Sequence, residues 1–325
     1  MNSTDDFEIL QTIGTGSFGC VKLVKYKTDG KYYAMKILYK NYIKLKNQGE
    51  YLRSEIEILK KIQSCPFSIH YNCVFTDDKF IYIITDFVQG GELFEMLRKL
   101  DKDPNRHHII RIYIAQIVLF LEYVHDRHII YRDIKPENIL INKDGYLQVC
   151  DFGFAKYHNI GDVEHNLCGT PEYIAPEMIL NSGYNLKIDY WALGILIYEM
   201  FAGYSPFSID SSDDFDNVDE IYRNILTSKV YWSRSIPIKA KRLISKLLVR
   251  NPDSRYDMSE IKAHSYFRGI DWERLKQKKY ELSKLQVKNP YDTRWFNKYE
   301  KDFPYSFNEI DTKLDELKER TKSKK

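Results

Sequence analysis

One polar stretch near the middle of the chain constrains the fold more than any other feature. Residues 131–138 read Y-R-D-I-K-P-E-N, a short hydrophobic segment follows them, and D-F-G comes next at residues 151–153. Aspartate and asparagine ahead of a strand often serve only in turns, and D-F-G alone would favour that interpretation. Further motifs in a fixed order recur along most of the chain, so we interpret the stretch as part of a functional site.

A glycine-rich segment lies near the start of the chain. Residues 7–10 and 21–24 alternate in the manner of strands. Between them stand Gly14, Gly16 and Gly19 in the spacing G-x-G-x-x-G. The same spacing occurs in dinucleotide-binding folds, but there it opens a helix, whereas the residues after Gly19 favour a strand. We therefore predict a strand–loop–strand unit whose backbone amides can approach phosphate groups.

Length and charge exclude several classes of protein. At 325 residues the chain is longer than one hydrophobic core usually supports, so we expect two lobes with a cleft between them. The net charge of +3 is too small to indicate nucleic acid or an anionic membrane as a partner. The apolar stretch 191–203 is too short to span a membrane, and we expect a cytoplasmic or nuclear location. The 5 cysteines lack paired spacing, so we expect neither disulfides nor a zinc site.

Six motifs together resemble the AGC group of serine/threonine protein kinases, and within it the catalytic subunits of cAMP-dependent protein kinases. In chain order they are G-T-G-S-F-G, Y-A-M-K, Y-R-D-I-K-P-E-N, D-F-G-F-A-K, L-C-G-T-P-E-Y and W-A-L-G-I-L-I-Y-E-M. The resemblance implies an α+β fold with two lobes: a small antiparallel β lobe that carries helix C, and a larger, mainly α-helical lobe. It divides the chain into a nucleotide-binding lobe at 1–88, a catalytic and substrate lobe at 89–270 and a tail at 271–325.

The resemblance implies that the chain transfers the γ-phosphate of ATP to serine or threonine, with Mg²⁺ as cofactor. Asp133 would accept or orient the proton of the substrate hydroxyl, and Lys135 would neutralise the γ-phosphate. Asn138 and Asp151 would hold the magnesium ions. Phosphoryl transfer needs this set because it depends on positioning and on neutralising charge.

A lysine–glutamate pair is implied in the first lobe. Lys36, at the end of Y-A-M-K, would contact the α- and β-phosphates of ATP. The helical pattern of residues 45–62 predicts helix C, and the resemblance favours Glu55 over the neighbouring Glu57 as the partner of Lys36.

The resemblance also implies which residues contact ATP. Backbone groups that follow the strand predicted at residues 80–88 would bind adenine, and the small side chain of Thr85 would leave a pocket behind the purine accessible. The implied ATP-binding residues are Ile13, Gly14, Thr15, Gly16, Ser17, Phe18, Gly19, Val21, Ala34, Lys36, Thr85, Asp86, Val88, Glu92, Leu140, Cys150, Asp151 and Phe296.

Substrate preference follows from acids that match the family's arginine-reading positions. These are Glu92, Glu137 and Glu199, which would pair with guanidinium groups upstream of the phosphoacceptor. The alternative is that they cap helices or face water. The resemblance further implies an apolar pocket for the residue after the acceptor, lined by Leu167, Pro171 and Ile174.

The activation segment, residues 151–177, departs from the resembled family. No serine or threonine stands between residues 152 and 169, and Asn166 occupies the place of an activating phosphothreonine. A phosphate there would add about −1.5 to −2 charges to hold the segment. Two of its usual ligands, Arg132 and Lys156, are present.

We hypothesise that a carboxylate replaces that phosphate. Asp162 and Glu164 lie within the segment, and Glu164 is the candidate to pair with Arg132. The enzyme would then be active without phosphorylation of the loop.

Structural pairings and partners complete the predictions. Glu177 is expected to form a buried ion pair with Arg255, and Asp189 to brace the catalytic loop. Peptides with basic residues upstream of serine or threonine are the implied substrates. A cAMP-binding regulatory subunit stays an open possibility, because His165 stands where the family has a docking tryptophan. Ser306 resembles a tail phosphorylation site of the family.

Three other functions are compatible with parts of the sequence. A pseudokinase scaffold is disfavoured because every catalytic and metal-binding position named above carries the expected residue. A Rossmann oxidoreductase is disfavoured by the strand after the glycine loop. Tyrosine specificity is disfavoured because Lys135 suits the serine/threonine type of catalytic loop.

Overall fold

A computed structural model of the chain describes residues 1–16, 19–100, 103–159, 161–208, 218–227, 229–282, 287–296 and 311–312. The strands in these ranges are β1 Phe7–Gly16, β2 Gly19–Tyr26, β3 Tyr32–Tyr39, β4 Tyr71–Thr76, β5 Phe80–Asp86, β6 Ile129–Ile130, β7 Ile139–Ile141, β8 Leu147–Val149 and β9 Lys156–Tyr157. The helices are α1 Lys40–Leu45, α2 Gly49–Lys61, α3 Leu93–Lys99, α4 Arg106–His125, α5 Pro176–Ile179, α6 Lys187–Ala202, α7 Val218–Thr227, α8 Ile238–Leu247, α9 Met258–Ala263 and α10 Trp272–Lys276. Short 3₁₀ helices occupy Thr4–Asp6, Pro136–Asn138, Pro171–Tyr173, Pro252–Ser254 and Ser265–Phe267.

The first lobe is built on a five-stranded antiparallel sheet in the order β1-β2-β3-β5-β4. The predicted strand–loop–strand unit is the β1–β2 hairpin. Apolar side chains at alternate positions of the sheet, among them Val24, Met35 and Ile84, form a buried cluster. At Gly19 a Cβ would lie 1.8 Å from the carbonyl oxygen of Ile37, so this close approach of β2 to β3 requires glycine.

The helix predicted over residues 45–62 begins later than expected. Leu45 is the last residue of α1, and α2 follows after a break at Asn47, whose φ of 53° lies in the left-handed region. Because asparagine tolerates that conformation, the chain turns there before α2 starts at Gly49. The buried face of α2 carries Glu55, Ile58 and Leu59, and the helix contacts both β4 and β9. This helix therefore connects the first sheet to the segment that follows D-F-G.

The second lobe is mainly helical, as the sequence predicts. Helix α4 precedes the catalytic loop, and α6 carries the W-A-L-G-I-L-I-Y-E-M motif. Within the described residues, α4 is the one helix long and apolar enough to cross a membrane, but most of its apolar window is buried inside the fold. In α6, Trp191 is fully buried and stacks on Phe207 at 5.8 Å between ring centroids. The two helices form the centre of the core of this lobe.

Two short antiparallel strand pairs flank the polar stretches. β7 pairs with β8, and β6 pairs with β9, both antiparallel. Residues 131–138 therefore leave β6 and enter β7, while D-F-G follows β8 directly. The pairings bring the two polar stretches to the same edge of the second lobe, facing the first sheet.

The described part of the tail returns to the first lobe. Phe296 stacks on Phe87 with ring centroids 5.6 Å apart, and Tyr291 contacts Tyr32 at 5.1 Å. These contacts place residues 287–296 beside the junction of the lobes. The division at residues 88 and 270 stays a prediction, and Ser306 lies outside the described residues.

Candidate active site

The carboxylate of Asp133 lies at the centre of a hydrogen-bonded cluster. Asn138 Nδ2 donates to Asp133 Oδ2 at 2.6 Å, and Lys135 Nζ lies 3.1 Å from the same oxygen. Thr170 Oγ1 donates to Asp133 Oδ1 at 3.2 Å and accepts from Lys135 Nζ at 3.0 Å. Burial raises the pKa of Asp133, while Lys135 and Asn138 oppose the shift. Sequence reasoning missed Thr170, for which the only signal is its place in the motif L-C-G-T-P-E-Y.

Asp189 holds the backbone of the catalytic loop, as predicted. Its Oδ2 accepts from the amide of Tyr131 at 2.9 Å, and its Oδ1 accepts from the amide of Arg132 at 2.8 Å. His125 Nε2 lies 2.8 Å from Oδ2 as well. Arg132 has a φ of 67°, a strained backbone for a residue with a side chain, which these contacts help to maintain.

The predicted lysine–glutamate pair is present. Lys36 Nζ lies 2.6 Å from Glu55 Oε1 and 3.0 Å from Asp151 Oδ1. Burial alone would lower the pKa of Lys36, but the two carboxylates outweigh burial and raise it. Burial alone would raise the pKa of Asp151, but the charge of Lys36 outweighs burial and lowers it. Glu55 is buried whereas Glu57 is exposed, which resolves the choice between the two acids. Lys36 thereby joins β3, α2 and D-F-G.

A cleft of about 540 Å³ between the sheet and the second lobe collects the predicted ATP-binding residues. Its walls include every described member of that set, from Ile13 in β1 to Phe296 in the tail. Ser17 and Phe18 lie outside the described residues. Thr85 lines the cleft together with Leu59 and Ile69 from the core beneath it. The volume is within the range of small-molecule sites.

The cleft also contains a donor set suited to magnesium. Asn138 and Asp151 lie in its wall and offer amide and carboxylate oxygens, the hard ligands that Mg²⁺ prefers. No cluster of three or more His, Cys, Asp or Glu suited to a metal occurs among the described residues. A magnesium ion would be held by Asn138, Asp151 and the phosphates, whose charge the metal would neutralise when bound.

The three acids predicted to read arginine influence one another. Burial raises the pKa of Glu92, and Glu137 raises it further. At Glu199 burial raises the pKa to about 7, a hydrogen bond from the Tyr173 hydroxyl opposes the shift, and Glu137 again adds to it. Glu92 and Glu137 line the cleft, whereas Glu199 does not. Sequence reasoning missed Tyr173, for which nothing but its place in the motif offered a signal.

The predicted apolar substrate pocket is not assembled as expected. Leu167 is 52% exposed, while Ile174 is 3% exposed and belongs to the core. The small cavity that Ile174 lines contains neither Leu167 nor Pro171. Ile174 is buried because the 3₁₀ turn Pro171–Tyr173 packs it beneath the segment.

The predicted pairing of Glu164 with Arg132 is wrong. Glu164 Oε2 instead contacts Lys156 Nζ at 2.7 Å. The backbone of Glu164 forms an antiparallel bridge with Tyr184, whose hydroxyl takes a hydrogen bond from Arg132 Nη1 at 2.9 Å. The Tyr184 hydroxyl thus accepts the hydrogen bond from Arg132 that was predicted for the Glu164 carboxylate.

Asn166 contacts other residues of the segment's surroundings. Its Nδ2 lies 3.4 Å from the Tyr51 hydroxyl of α2, and its carbonyl oxygen accepts from Tyr184 Oη at 2.8 Å. The four residues predicted to support the loop, Arg132, Lys156, Glu164 and Asn166, are therefore brought together, but Tyr184 connects them.

Comparisons with known proteins agree on one family. The protein kinase domain matches residues 7–267. The chain is 39% identical to cAMP-dependent protein kinase type 3 of Saccharomyces cerevisiae, over 98% of this chain and 79% of the relative. It is 42% identical to cAMP-dependent protein kinase catalytic subunit 3 of Drosophila melanogaster, over 92% of this chain and 51% of that relative. It is also 42% identical to a RAC family serine/threonine-protein kinase homolog of Dictyostelium discoideum, over 84% of this chain and 60% of the relative.

Proposed function

The chain belongs to the protein kinase family and is a serine/threonine kinase of the cAMP-dependent catalytic type, and we propose that it phosphorylates serine or threonine downstream of arginine. ATP would be the phosphate donor, held in the cleft that Lys36 and the glycine-rich hairpin line. Asp133 would orient the acceptor hydroxyl, and Lys135 would balance the charge that passes between donor and acceptor.

The observation that carries the arginine preference is the group of carboxylates at Glu92, Glu137 and Glu199. Burial raises the pKa of Glu92 and of Glu199, and the charge of Glu137 raises both further. In the part of the chain that the structure describes, none of the three has a lysine or arginine within ion-pair distance. Neighbouring carboxylates without a cation repel one another, and a guanidinium relieves that repulsion while forming charge-assisted hydrogen bonds.

The test compares two peptides that differ only in charge. We expect kcat/KM for an Arg-Arg-x-Ser peptide to exceed that for Gln-Gln-x-Ser by at least about tenfold, since one charge-assisted hydrogen bond contributes about 1.5–3 kcal/mol. Glu199→Gln should reduce the ratio of kcat/KM between the arginine peptide and the glutamine peptide. The Asp133→Asn variant, with ATP binding retained, should lose activity by about 10²–10⁴-fold. Equal kcat/KM for the two peptides would refute the preference.

We also propose that transfer does not require a phosphorylated activation segment. The segment offers no serine or threonine between residues 152 and 169, and its described residues make contacts with the second lobe that need no phosphate. Protein shown by mass spectrometry to carry no phosphate should therefore phosphorylate the arginine peptide. Inactivity of that protein, despite measurable ATP binding, would contradict the proposal and favour a pseudokinase or an enzyme that awaits a partner.

A cAMP-binding regulatory subunit remains a candidate partner. Two of the relatives described above are named cAMP-dependent kinases, whereas a third is named a RAC family homolog. His165 is exposed, and its Nδ1 lies 3.3 Å from Asn181 Oδ1. Binding of the chain to a regulatory subunit, with release by cAMP, would establish the partner; no binding at micromolar concentration would exclude it.

A further inference from the structure

Arg132 is a buried cation without an anionic partner. Its side chain is 6% exposed, and among the described residues no carboxylate lies within ion-pair distance of its guanidinium. Nε donates to the carbonyl oxygen of Phe154 at 2.6 Å, and Nη1 donates to Tyr184 Oη at 2.9 Å. Nη2 is buried without a hydrogen-bond partner. Burying a charge is costly unless it forms hydrogen bonds, so the loss of either partner of Arg132 should destabilise its buried guanidinium.

Tyr184 is placed to bind Arg132 and the activation segment at once. It is 4% exposed, and its hydroxyl both accepts from Arg132 and donates to the carbonyl oxygen of Asn166 at 2.8 Å. Burial raises the pKa of Tyr184 to about 12, against the opposing effect of Arg132, so the hydroxyl keeps its proton at neutral pH. The protonated hydroxyl can therefore donate its hydrogen bond to the Asn166 carbonyl oxygen.

The backbone of Tyr184 holds the same segment a second time. Its amide donates to the carbonyl oxygen of Glu164 at 2.9 Å, and the amide of Glu164 donates to the carbonyl oxygen of Tyr184 at 3.1 Å. Glu164 then reaches Lys156 Nζ in β9, the strand that pairs with β6 directly before the catalytic loop. The segment is therefore bound at residues 164 and 166 to a residue that contacts the loop of Asp133.

A further contact reaches helix α2. The ring of Tyr51 lies 6.0 Å from the guanidinium carbon of Arg132, and its hydroxyl contacts Asn166. Because α2 carries Glu55, the network touches both the catalytic loop and the helix that positions Lys36.

We propose that Tyr184 is a positioning residue that holds the activation segment against the catalytic loop through Arg132 and Asn166, in the place where a phosphate would otherwise act. The proposal rests on the proposed function, in that it names the residue responsible for activity without loop phosphorylation. Tyr184 acts through Arg132 and does not itself contact the reacting atoms.

The first test is Tyr184→Phe in the full, unphosphorylated chain. The variant keeps the ring and the backbone bridge and removes only the hydroxyl. We expect kcat for the Arg-Arg-x-Ser peptide to fall about tenfold or more, because a hydrogen bond to a charged group is lost. The KM for ATP should stay within twofold. Tyr146→Phe is the matched control, since Tyr146 is also a buried residue and its hydroxyl donates to the Tyr280 carbonyl at 2.7 Å, away from the segment. It should keep wild-type kcat.

Hydrogen exchange separates positioning from a general loss of stability. In Tyr184→Phe, amide exchange should rise at residues 162–167 and stay unchanged in α4 and α6. A uniform rise across the second lobe would overturn the proposal, because the effect would then be one of folding.

The second test supplies Arg132 with an anionic partner, which the wild type lacks among its described residues. Asn166→Glu, added to Tyr184→Phe, should recover at least about half of the lost kcat, while Asn166→Gln, which has the same length without the charge, should recover none. No recovery with glutamate would overturn the proposal.

The outcomes also distinguish this inference from the function on which it rests. An inactive unphosphorylated wild-type chain would reject activation without phosphate. An active wild-type chain whose Tyr184→Phe variant is equally active would reject only the role of Tyr184.

Discussion

Removing one partner of the buried ion pair between Glu177 and Arg255 should strongly destabilise the second lobe. Arg255 is 1% exposed and donates Nη1 to Glu177 Oε1 at 2.8 Å and Nη2 to Glu177 Oε2 at 3.0 Å. It also donates to the carbonyl oxygens of Lys187 and Val249, at 2.7 and 3.0 Å, and lies 5.3 Å from the ring of Trp191. One guanidinium therefore connects the end of the activation segment to α6 and to the residues after α8.

Glu177→Gln removes the charge of the carboxylate and leaves the shape nearly unchanged. The variant replaces one accepting oxygen with an NH2 group, which cannot accept from Arg255, and leaves the guanidinium buried without a counter-charge. Breaking a buried pair in this way costs about 3–5 kcal/mol of the free energy of unfolding. Urea denaturation at pH 7 would measure the loss.

The chain contains a matched control for burial. Arg98 and Glu95 form the same type of pair at 2.7 Å, but their side chains are 65% and 30% exposed. Glu95→Gln should therefore cost only about 0.3–0.5 kcal/mol. If Glu177→Gln cost less than about 1 kcal/mol, the argument that burial makes this pair essential would be refuted.

Three further predictions concern Glu199, Lys36 and Cys150. The carboxylate of Glu199 gains its charge as the pH rises through its pKa of about 7, so the ratio of kcat/KM for the arginine peptide to kcat/KM for the Gln-Gln peptide should rise between pH 6 and pH 8. Glu199→Gln should abolish this rise. A ratio that does not change with pH in the wild type would contradict the prediction. Lys36→Met should lower kcat by about 10²–10³-fold, because it removes a positioned cation and leaves Glu55 and Asp151 unpaired. A decrease of less than tenfold in a single-turnover assay would contradict this role. Burial and the neighbouring Asp151 raise the pKa of the Cys150 thiol, so iodoacetamide at pH 8 should modify exposed thiols of a reference peptide far faster than Cys150; rapid modification identified by mass spectrometry would contradict this.

Much of the site could be predicted because its residues lie in local motifs. Asp133 and Asn138 belong to one short stretch, and Asp151 follows at a fixed distance after two short strands. Each of these positions depends on backbone geometry close by, so spacing in the chain translates into spacing in the cleft. The choice of Glu55 over Glu57 came from the family resemblance, and the structure agrees with it because α2 turns Glu55 inward and leaves Glu57 exposed.

Helix boundaries were less predictable than helix content. The apolar period of residues 45–62 indicates a helix, but it contains no signal for the left-handed turn at Asn47 that delays the start of α2. A single backbone angle outside the helical region stops the hydrogen-bond ladder, and the apolar pattern around it does not change.

The sequence by itself determined the family and the two-lobed architecture, and it named residues that the fold brings together in the cleft. The tertiary structure alone decided which side chain faces Arg132. Glu164 and Tyr184 are far apart in the chain, and only their antiparallel bridge brings the hydroxyl to the guanidinium while Glu164 reaches Lys156. By charge alone, many carboxylates in a sequence could pair with one arginine, because electrostatic attraction depends on distance and not on a specific geometry. Backbone pairing and burial select one of them, and here they select a neutral hydroxyl over a carboxylate.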